Sequence, residues 1–595
     1  MSAGISMKTL TPHTHTRTHT NRIIRIQGPN TPVSAQWLPG MVAAFAFLIL
    51  GNPPPLEGKT LAGHVPRITA NLQPISHLEA TNLLKLAIGL RLPDPAGLDS
   101  FLEQIYDPTN ANFRHYLTPA QFTERFGPTE QDYQAVTSFA NANGLLVTET
   151  HPNRILVDVW ATVADIERAF DLNLLLYQHP MEARIFYAPD VDPSVPLTLP
   201  LLDISGLDNC ELPHPCHVLE QPGAGPCRHN GSAGGAYIGY DFRRAYAPDV
   251  AQTGTGETVG LLEFDGFWPA DIANYEATAG LPNVPLETVL IDGFNGAPAG
   301  LNLEVAQDID MAISMAPGLS KVIIYEAPPP GGAASGNDIL SHMANENRAR
   351  QLSVSWYWYG GAATTHQILQ QMAMQGQSFF VASGDSRAWC ADYGAPALFD
   401  DTNACVVGGT TLTMTTNGGL YVSETVWVTG SGENGPGGSG GGISTNYSIP
   451  TWQTGIDMSA NHGSTTMRNI PDVAMVADEI YIIFNNGQIG ETGGTSCAAP
   501  LWAGFAALAN QYSLANYGEI IGFPNYAIYS AGKSRSYTLD FHDVTTGNNG
   551  YGRCAGPFFP AVRGYDLCTG WGSPQGMATV HALIRAIPTT PGHGP

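Results

Sequence analysis

The amino-acid sequence predicts an α/β protein in which a small α+β domain precedes a larger domain built on a doubly wound parallel sheet. Near-continuous apolar segments recur in the second half of the chain with helical patterns between them, which is typical of a parallel sheet covered on both faces. The first half alternates short helices and strands. Since 43% of the residues are apolar and only 13% are charged, both parts can bury a core.

The charge balance of the chain argues against polyanionic partners. Lys and Arg number 26 against 51 Asp and Glu, which gives a formal net charge of −25. A surface of this sign repels nucleic acid and anionic membranes. With 26 cations for 51 carboxylates, 25 carboxylates have no Lys or Arg to pair with, and these lose their charge at low pH. This composition suits an acidic working environment.

Residues 1–58 are interpreted as a leader. Three arginines precede the apolar run 41–50, which has the length of a signal-peptide core and is too short to span a bilayer comfortably. We predict a secreted, monomeric protein with no stable membrane span, and anchoring of the chain through 41–50 is the alternative. The histidine repeat at 13–19 is assigned no function.

Cysteine usage agrees with export. The eight cysteines stand at positions 210, 216, 227, 390, 405, 497, 554 and 568. The late pairs Cys390/Cys405 and Cys554/Cys568 are compatible with disulfides, although the sequence does not fix their connectivity. Cys497 is expected to be a small buried residue rather than a nucleophile. None of the spacings resembles a zinc site.

Residues 60–205 form the small α+β domain, for which a split βαβ, ferredoxin-like arrangement is predicted. Helices are assigned where apolar residues repeat every three to four positions, and strands where they alternate. The assigned elements are helices over 129–143 and 162–172, an antiparallel strand pair over 145–150 and 154–160, and a strand over 174–177.

Residues 206–235 change character and become rich in Gly, Pro, Cys and His. This composition predicts an exposed linker, and exposed linkers are where chains are cut. We therefore expect the chain to be processed between about residues 206 and 240, which separates residues 60–205 from the second domain at 236–585.

The second domain is predicted from its apolar strands, and its active site is expected outside their carboxyl ends. The glycine-rich run 430–442 is interpreted as a mobile surface loop. The predicted strands are 257–264, 321–325, 352–355, 378–383 and 404–407.

A candidate nucleophile stands in the segment 493–500, where a strand is expected to turn into a helix. Two glycines permit a tight turn, Thr495 is expected to cap the helix, and Pro500 suits a first helical turn. The apolar helix that follows Ser496 is expected to be buried, with its N-terminus able to stabilise negative charge. A purely structural turn is the alternative.

Two carboxylates, Glu304 and Asp308, are placed one turn apart on the same side of a predicted buried helix. Unless the protein uses them they repel each other, and their proximity favours a shared proton at acidic pH. Asp310 falls on another face and is the weaker candidate. A solvated helix face is the alternative interpretation.

A third carboxylate, Asp385, stands just past the carboxyl end of the predicted strand 378–383. If it lies near Ser496, only its protonated form can donate a hydrogen bond to an oxyanion. The alternative is an aspartate that caps a turn.

Taken in order, these motifs resemble the sedolisin family of serine-carboxyl peptidases. They are Glu304-x-x-x-Asp308, Ser383-Gly384-Asp385-Ser386 and Gly494-Thr495-Ser496-x-x-x-Pro500. The resemblance covers most of 60–585, and it implies a subtilisin-like catalytic domain behind a kumamolisin-type activation prodomain. It further includes segments 115–122, 152–154, 261–264, 406–412, 439–444 and 471–473.

The resemblance implies a role for each residue. Ser496 would be the nucleophile, Glu304 the general base, Asp308 the carboxylate that orients Glu304 and shares its proton, and Asp385 the protonated oxyanion donor. The protein would be a secreted, self-processing serine-type endopeptidase that acts on protein or peptide substrates in acid. Its own prodomain would be its inhibitor. Two positions depart from the family pattern, Gln307 in place of Leu and Arg387 in place of Gly.

The resemblance also implies one Ca²⁺ ion near the C-terminus. Its ligands would be the carboxylates of Asp543 and Asp566 and the carbonyls of Val544, Val562 and Gly564. Carboxylate and carbonyl oxygens form the hard cage that Ca²⁺ prefers. Val562 replaces a customary glycine, which leaves the carbonyl available.

Three competing interpretations remain open. A subtilisin-type peptidase would use His462, but that histidine lies in polar sequence without a helix to hold it. A tripeptidyl-peptidase of the same family would share every residue named above. A catalytically silent, exported binding protein would retain the fold alone.

Overall fold

The computed structural model describes residues 58–585 except 217, 221–234, 330, 390–397, 416–418, 430–436 and 551–557, with backbone only for 218–220. The predicted signal segment and the histidine repeat lie outside the described residues, as do Cys227, Cys390 and Cys554. The five described cysteines are buried free thiols. Among the helices that the structure describes, none is long and apolar enough to cross a membrane.

The first domain has the predicted ferredoxin-like topology. Its main sheet has the order β4-β5-β3-β9 with antiparallel neighbours, as a split βαβ arrangement requires. Its elements are β1 (Gly58–Thr60), β2 (Ser76–His77), β3 (Leu83–Leu90), α1 (Pro95–Tyr106), α2 (Pro119–Arg125), α3 (Glu130–Ala142), β4 (Leu146–Thr150), β5 (Leu156–Thr162), α4 (Val163–Phe170), β6 (Leu174–Gln178), β7 (Ile185–Pro189), β8 (Ser194–Pro196) and β9 (Leu201–Ser205).

Local signals set the ends of the predicted helices in this domain. The Thr129 side chain accepts the backbone N–H of Asp132 and so caps α3. Gly144, with φ 82°, follows the end of the same helix. The two helices and the strand pair of the sequence prediction are confirmed, with bounds that differ by one or two residues.

The second domain contains an eight-stranded sheet that includes all five predicted strands. Beyond the segment β10 (His214–Pro215) and β11 (Val218–Glu220), its elements are α5 (Tyr240–Tyr246), β12 (Thr258–Glu263), α6 (Pro269–Ala279), β13 (Leu286–Leu290), α7 (Asn302–Met315), β14 (Lys321–Glu326), α8 (Ala333–Glu346), β15 (Gln351–Val354), β16 (Trp356–Tyr357), α9 (Ala362–Met374), β17 (Ser378–Ala382), β18 (Ser386–Ala388), β19 (Cys405–Met414), β20 (Tyr421–Val426), β21 (Gly438–Ser448), β22 (Met467–Ile470), β23 (Val473–Val476), β24 (Ile480–Phe484), β25 (Gln488–Gly493), α10 (Thr495–Tyr517), α11 (Asn525–Gly532), α12 (Tyr537–Asp540), β26 (Phe541–His542), β27 (Ser573–Pro574) and α13 (Gly576–Ile584).

The order of the strands makes this sheet doubly wound. The path is β13-β14-β12-β15-β17-β19-β20, parallel from β13 to β19, and β23 pairs with β19 outside this path. The first strand, β12, has β14 on one side and β15 on the other, so the chain winds outward in both directions. The helix pairs α7 with α10 and α8 with α9 pack on the sheet. This arrangement brings the carboxyl ends of β12, β15 and β17 together at one edge.

The prediction of an exposed linker over 206–235 is wrong for the residues of this range that the structure describes. Cys210 and Cys216 are 3% and 1% exposed. β10 pairs antiparallel with β16, and β11 pairs antiparallel with β25. An extended segment can satisfy its backbone polar groups on strand edges of the second domain, so Gly, Pro and Cys enrichment did not mean exposure here.

Candidate active site

Ser496 stands in the first turn of a buried helix, as the sequence predicts. β25 ends at Gly493, Gly494 has φ 137°, and α10 begins at Thr495. A φ of that sign favours glycine. The first N–H groups of a helix have no partner within it, and here the N–H of Ser496 donates to the carbonyl of Cys216 at 3.1 Å.

The position of Pro500 differs from the prediction. It is inside α10, one turn beyond Ser496, so the carbonyl of Ser496 lacks the N–H that would close its helical hydrogen bond. The hydroxyl of Ser355 lies 3.3 Å from this carbonyl and 2.7 Å from Oδ1 of Asp308, and it can donate to either. Because of Pro500, the carbonyl oxygen of Ser496 is left to accept from another donor. The hydroxyl of Ser355 lies between this oxygen and Asp308 and so connects the two.

Glu304 and Asp308 lie one turn apart on α7, and both are fully buried. Every residue of α7 is buried, which excludes the solvated helix face. α7 packs against α10, the helix that carries Ser496. Asp310 belongs to a different group of carboxyls. Its pKa is raised by burial and by the charges of Glu276 and Asp271, not by those of Glu304 and Asp308.

The sequence interpretation missed a further carboxyl group, Glu263 at the end of β12. It is fully buried, and the indole N–H of Trp356 donates to its Oε2 at 2.8 Å. Burial raises the pKa of Glu263 and of Asp308, and each also feels the other and Glu304. The charge of Glu263 contributes to the raised pKa of Asp308, so the two carboxyl groups lie close enough to favour their neutral forms. The signal was a charge in an otherwise apolar strand, which in a buried sheet needs a partner.

Asp385 is connected directly to the residue before Ser496. The backbone N–H and the hydroxyl of Thr495 donate to Oδ1 of Asp385 at 2.9 and 2.8 Å. The N–H of Gly384 donates to the same hydroxyl at 3.0 Å. Thr495 therefore does not cap α10 as predicted, because its hydroxyl is engaged at the end of β17. Asp385 therefore accepts from a turn 110 residues away, which a cap of its own turn does not require.

Residues 430–436 of the glycine-rich run lie outside the described residues. The rest of the run, 437–442, is buried and contains the start of β21, so the prediction of a mobile surface loop is wrong for this part. The N–H of Gly440 donates to the carbonyl of Gly384 at 2.7 Å. A Cβ on Gly440 would lie 2.1 Å from the carbonyl oxygen of Ser383. These glycines allow the backbone to pack directly beneath the loop that carries Asp385.

Gln307 and Arg387, the two residues that depart from the family pattern, both form hydrogen bonds near the site. The hydroxyl of Thr492, next to the turn of Ser496, donates to Oε1 of Gln307 at 2.9 Å. Arg387 has φ 64°, and its guanidinium donates to three backbone carbonyls, those of Thr429, Gly437 and Gly550. Arg387 thereby holds the loop after Asp385 against its neighbours.

The thiol of Cys497 reports the charges around Ser496. Burial raises its pKa, and the charges of Glu304, Asp385 and Asp308 raise it further. The thiol is therefore protonated and unsuited to nucleophilic attack, as expected. Three carboxyl groups, two on α7 and one just beyond β17, act on the residue that follows Ser496, so the fold gathers the sequence candidates in one place.

His462 does not belong to this group. Its side chain is exposed, and its Nδ1 lies 3.4 Å from the carbonyl oxygen of Phe558. An exposed imidazole held there is not placed to take a proton from the buried Ser496. The subtilisin-type interpretation receives no support from this histidine.

The two loops that carry the proposed calcium ligands lie side by side. The N–H of Gly564 lies 3.2 Å from Oδ1 of Asp543, and the N–H of Val562 donates to Oδ2 of Asp566 at 3.2 Å. Burial raises the pKa of Asp566 to about 7. It also raises the pKa of Asp543 above its usual range. Two desolvated carboxyls on adjoining loops fit a hard cation, which would favour their ionised forms.

The first domain meets the second through a buried cation. Nζ of Lys85 lies 2.7 Å from Oδ2 of Asp338 and also contacts Asp292, both in the second domain. Asp158 of the first domain is 3.3 Å away. Although burial opposes it, the charges of these three aspartates raise the pKa of Lys85. This ion cluster ties the domains together in the uncleaved chain.

Comparisons with known proteins agree with this arrangement. A family model described as the pro-kumamolisin activation domain matches residues 70–209. Sedolisin from Pseudomonas sp. (strain 101) is 30% identical over 587 residues, which cover 93% of this chain and 94% of that protein. Kumamolisin from Bacillus sp. (strain MN-32) is 28% identical over 553 residues, which cover 88% of this chain and 96% of that protein.

A solved structure is also similar. Pseudomonas sedolisin, described as a serine-carboxyl proteinase complexed with two molecules of pseudo-iodotyrostatin, has a TM-score of 0.52 and 29% identity. It matches 59% of this chain and 98% of its own length. The activation-domain match accounts for the ferredoxin-like first domain, and the sedolisin match for the sheet and its site. The chain therefore belongs to the sedolisin family of serine-carboxyl peptidases, and it carries the family's activation domain at its N-terminal side.

Proposed function

We propose that this chain is a secreted serine-carboxyl endopeptidase that acts in acid and processes itself from a zymogen. The observation that carries the proposal is the set of contacts around buried Ser496. Ser355 connects its carbonyl to Asp308, and Thr495 connects it to Asp385. Carboxyl groups thus occupy the surroundings in which a neutral serine peptidase has a histidine.

The proposed mechanism assigns one step to each group. Glu304 takes the proton of Ser496 as the hydroxyl attacks the peptide carbonyl, and later returns it to the leaving amine. Asp308, with Glu263 behind it, holds a proton and orients Glu304. Protonated Asp385 and the N–H of Ser496 donate hydrogen bonds to the oxyanion.

The need for acid follows from burial of the carboxyl groups. Burial raises the pKa of Asp308 and of Glu263, and nearby negative charges add to the effect. Raised values mean that this pair keeps its proton through acidic pH and loses it as the pH rises. The additional charge then opposes a developing oxyanion, and an ionised Asp385 can no longer donate to it. Activity should therefore fall on the alkaline side.

Replacing Lys85 with methionine should loosen the hold of the prodomain on the peptidase domain. The change leaves Asp158, Asp292 and Asp338 buried without their cation, which typically costs about 3–5 kcal/mol. We expect a lower unfolding temperature at neutral pH in an uncleavable Ser496→Ala background, and faster processing with Ser496 intact.

The matched control is Lys321→Met, because Lys321 pairs with Glu287 where both side chains are more than a third exposed. Such a surface pair is worth about 1 kcal/mol or less. Equal effects of the two substitutions would contradict a locking role for Lys85.

We also propose that one Ca²⁺ ion binds between Asp543 and Asp566 and stabilises the two loops without taking part in the chemistry. Removing the ion with a chelator should lower the unfolding temperature of the processed enzyme. At a Ca²⁺ concentration 100 times Kd, the ion contributes about 2.7 kcal/mol. Asp543→Asn should lower the unfolding temperature and abolish its response to Ca²⁺. Asp457→Asn, in an exposed turn, should leave the response intact, and an unchanged response in Asp543→Asn would refute the site.

Secretion is proposed from the apolar run 41–50 alone. It is tested by expressing the chain with and without this run and locating the processed protein. Recovery of both forms in the medium would contradict a signal function.

The activity itself is tested by acidifying the purified zymogen to about pH 4 and adding a denatured protein. Cleavage at internal bonds, including substrates with a blocked amino terminus, supports an endopeptidase. Release of tripeptides that requires a free amino terminus supports the tripeptidyl-peptidase alternative. Absence of any cleavage by the processed form supports the silent binding protein.

A further inference from the structure

The segment before residue 217 lies along the second domain as an added strand. His214 pairs antiparallel with Tyr357, and Pro215 with Trp356. The N–H of Cys216 then donates to the carbonyl of Ser355 at 2.9 Å. The rings of His214 and Tyr357 lie 5.6 Å apart at 36°. The chain thus approaches Ser496 extended and in a fixed register, as strand addition requires.

The carbonyl of Cys216 lies at the N-terminus of α10, where the carbonyl of a peptide under attack by Ser496 would lie. It accepts the N–H of Ser496 at 3.1 Å, at the start of a buried helix whose dipole favours negative charge on that oxygen. An oxyanion formed on this carbonyl would keep the same donor. The carbonyl carbon of Cys216 is therefore presented to the turn that carries the Ser496 hydroxyl.

The chain remains held beyond this point. The backbone of Val218–Glu220 pairs antiparallel with β25, with Val218 opposite Gly493 and Glu220 opposite Glu491. Strand pairing therefore fixes the chain at 214–215 and again at 218–220. Such restraint on both sides is how a protein site holds a reactive bond in register.

The side chain of Cys216 shows what this position accepts. It is 1% exposed and belongs to a hydrophobic cluster that extends from the second domain into part of the first. The charges of Asp385, Glu304 and Asp308 act on its thiol and, with burial, raise its pKa. A small neutral group fits there, whereas an added negative charge would meet three carboxyl groups.

We propose that the bond after Cys216 is the first bond that this site cuts in its own chain, and that the site selects substrates with a small uncharged residue at that position. The contact of His214 with Tyr357 adds a preference for a ring two residues earlier. This inference rests on the proposed peptidase function and specifies its first substrate.

The Oγ of Ser496 bonds to the carbonyl carbon of Cys216, and its proton passes to Glu304. The C–N bond to residue 217 breaks, and the new amine receives that proton. Water then hydrolyses the ester, which frees the Cys216 carboxyl and restores the Ser496 hydroxyl. One water molecule is consumed in total.

The experiment follows acidified full-length protein by intact mass and N-terminal sequencing, with activity on a denatured protein measured in parallel. A first new terminus at His217 supports the proposal. An active enzyme whose first cut lies elsewhere overturns the proposal and leaves the peptidase function standing. Absence of both cleavage and activity overturns both.

Two variants sharpen this test. Cys216→Ser keeps the size and the N–H, and should be cut at the same bond at a similar rate. Cys216→Pro lacks the N–H that donates to Ser355, and first cleavage at this bond should slow by at least about tenfold, the equivalent of about 1.4 kcal/mol. Equal rates for the two variants would contradict the proposed register.

A peptide assay removes any dependence on folding of the variants. The processed enzyme is given the peptide of residues 211–222 with both ends blocked, and the same peptide with glutamate at position 216. Cleavage after Cys216 and at least tenfold slower cleavage of the glutamate peptide are expected. Equal cleavage of both peptides would overturn the proposed selectivity.

Discussion

Ser496→Ala is expected to abolish self-cleavage and to lower peptidase activity by a factor on the order of 10⁴ or more, because removal of a nucleophile leaves only binding and oxyanion stabilisation. Ser496 is fully buried, and its hydroxyl has no partner among the described residues, so its loss should change the fold little. The uncleaved chain should accumulate after acidification and can be measured by intact mass.

A matched control exists on the same helix. Ser513 is also buried in α10, with a hydroxyl that has no partner among the described residues. Ser513→Ala should be processed at the normal rate. Persistent self-cleavage of the purified Ser496→Ala chain at an undiminished rate would rule out Ser496 as the nucleophile.

The second large effect is expected for Glu304→Gln. An amide of the same shape cannot take the proton of Ser496, and loss of a general base typically costs 10²–10⁴ in rate, so a fall of about 10³ in kcat is expected. KM should change little, since the shape of the site is kept. The measurement is steady-state kinetics at the acidic optimum, with the variant processed by added wild-type enzyme and then separated from it.

Asp310→Asn is the control for this change. It replaces a buried carboxyl on the same helix by an amide, but Asp310 feels Glu276 and Asp271 rather than the site. Because burial raises the pKa of Asp310, its neutral form is favoured and an amide is tolerated. A loss of activity in Asp310→Asn equal to that in Glu304→Gln would mean that helix packing, not proton transfer, explains both.

The sheet and the first domain could be predicted because their signals are local. Buried parallel strands such as β12 and β17 are continuous apolar runs, and α3 carries a threonine cap at one end and a glycine stop at the other. The alternation of strands and helices likewise indicates that the sheet is parallel. Tertiary contacts then only adjusted the ends of these elements.

The candidate site was predictable in its members but not in its connections. Spacing alone places Glu304 and Asp308 on one helical face. That Thr495 bonds Asp385 instead of capping its helix depends on two segments far apart in sequence. The same holds for Ser355, whose hydroxyl is useful only because Pro500 leaves a carbonyl without its helical donor.

Amino-acid composition gave a wrong prediction for the segment around Cys216, which pairs with strands far away in sequence. The Gly, Pro and Cys enrichment around Cys216 indicates a linker, yet backbone pairing with β16 and β25 buries the described part. Glu263 was overlooked because a single charge at a strand end is common, and only packing beside Asp308 gives it a role. No local pattern contains either fact.

We propose that carboxyl groups, and no histidine, activate Ser496. The most direct test is the pH dependence of kcat/KM for the processed enzyme and for His462→Ala. We expect a maximum of kcat/KM in acid, a fall toward neutral pH as the pair Asp308 and Glu263 loses its proton, and the same profile in His462→Ala. A maximum near neutral pH, or activity lost in His462→Ala, would contradict it.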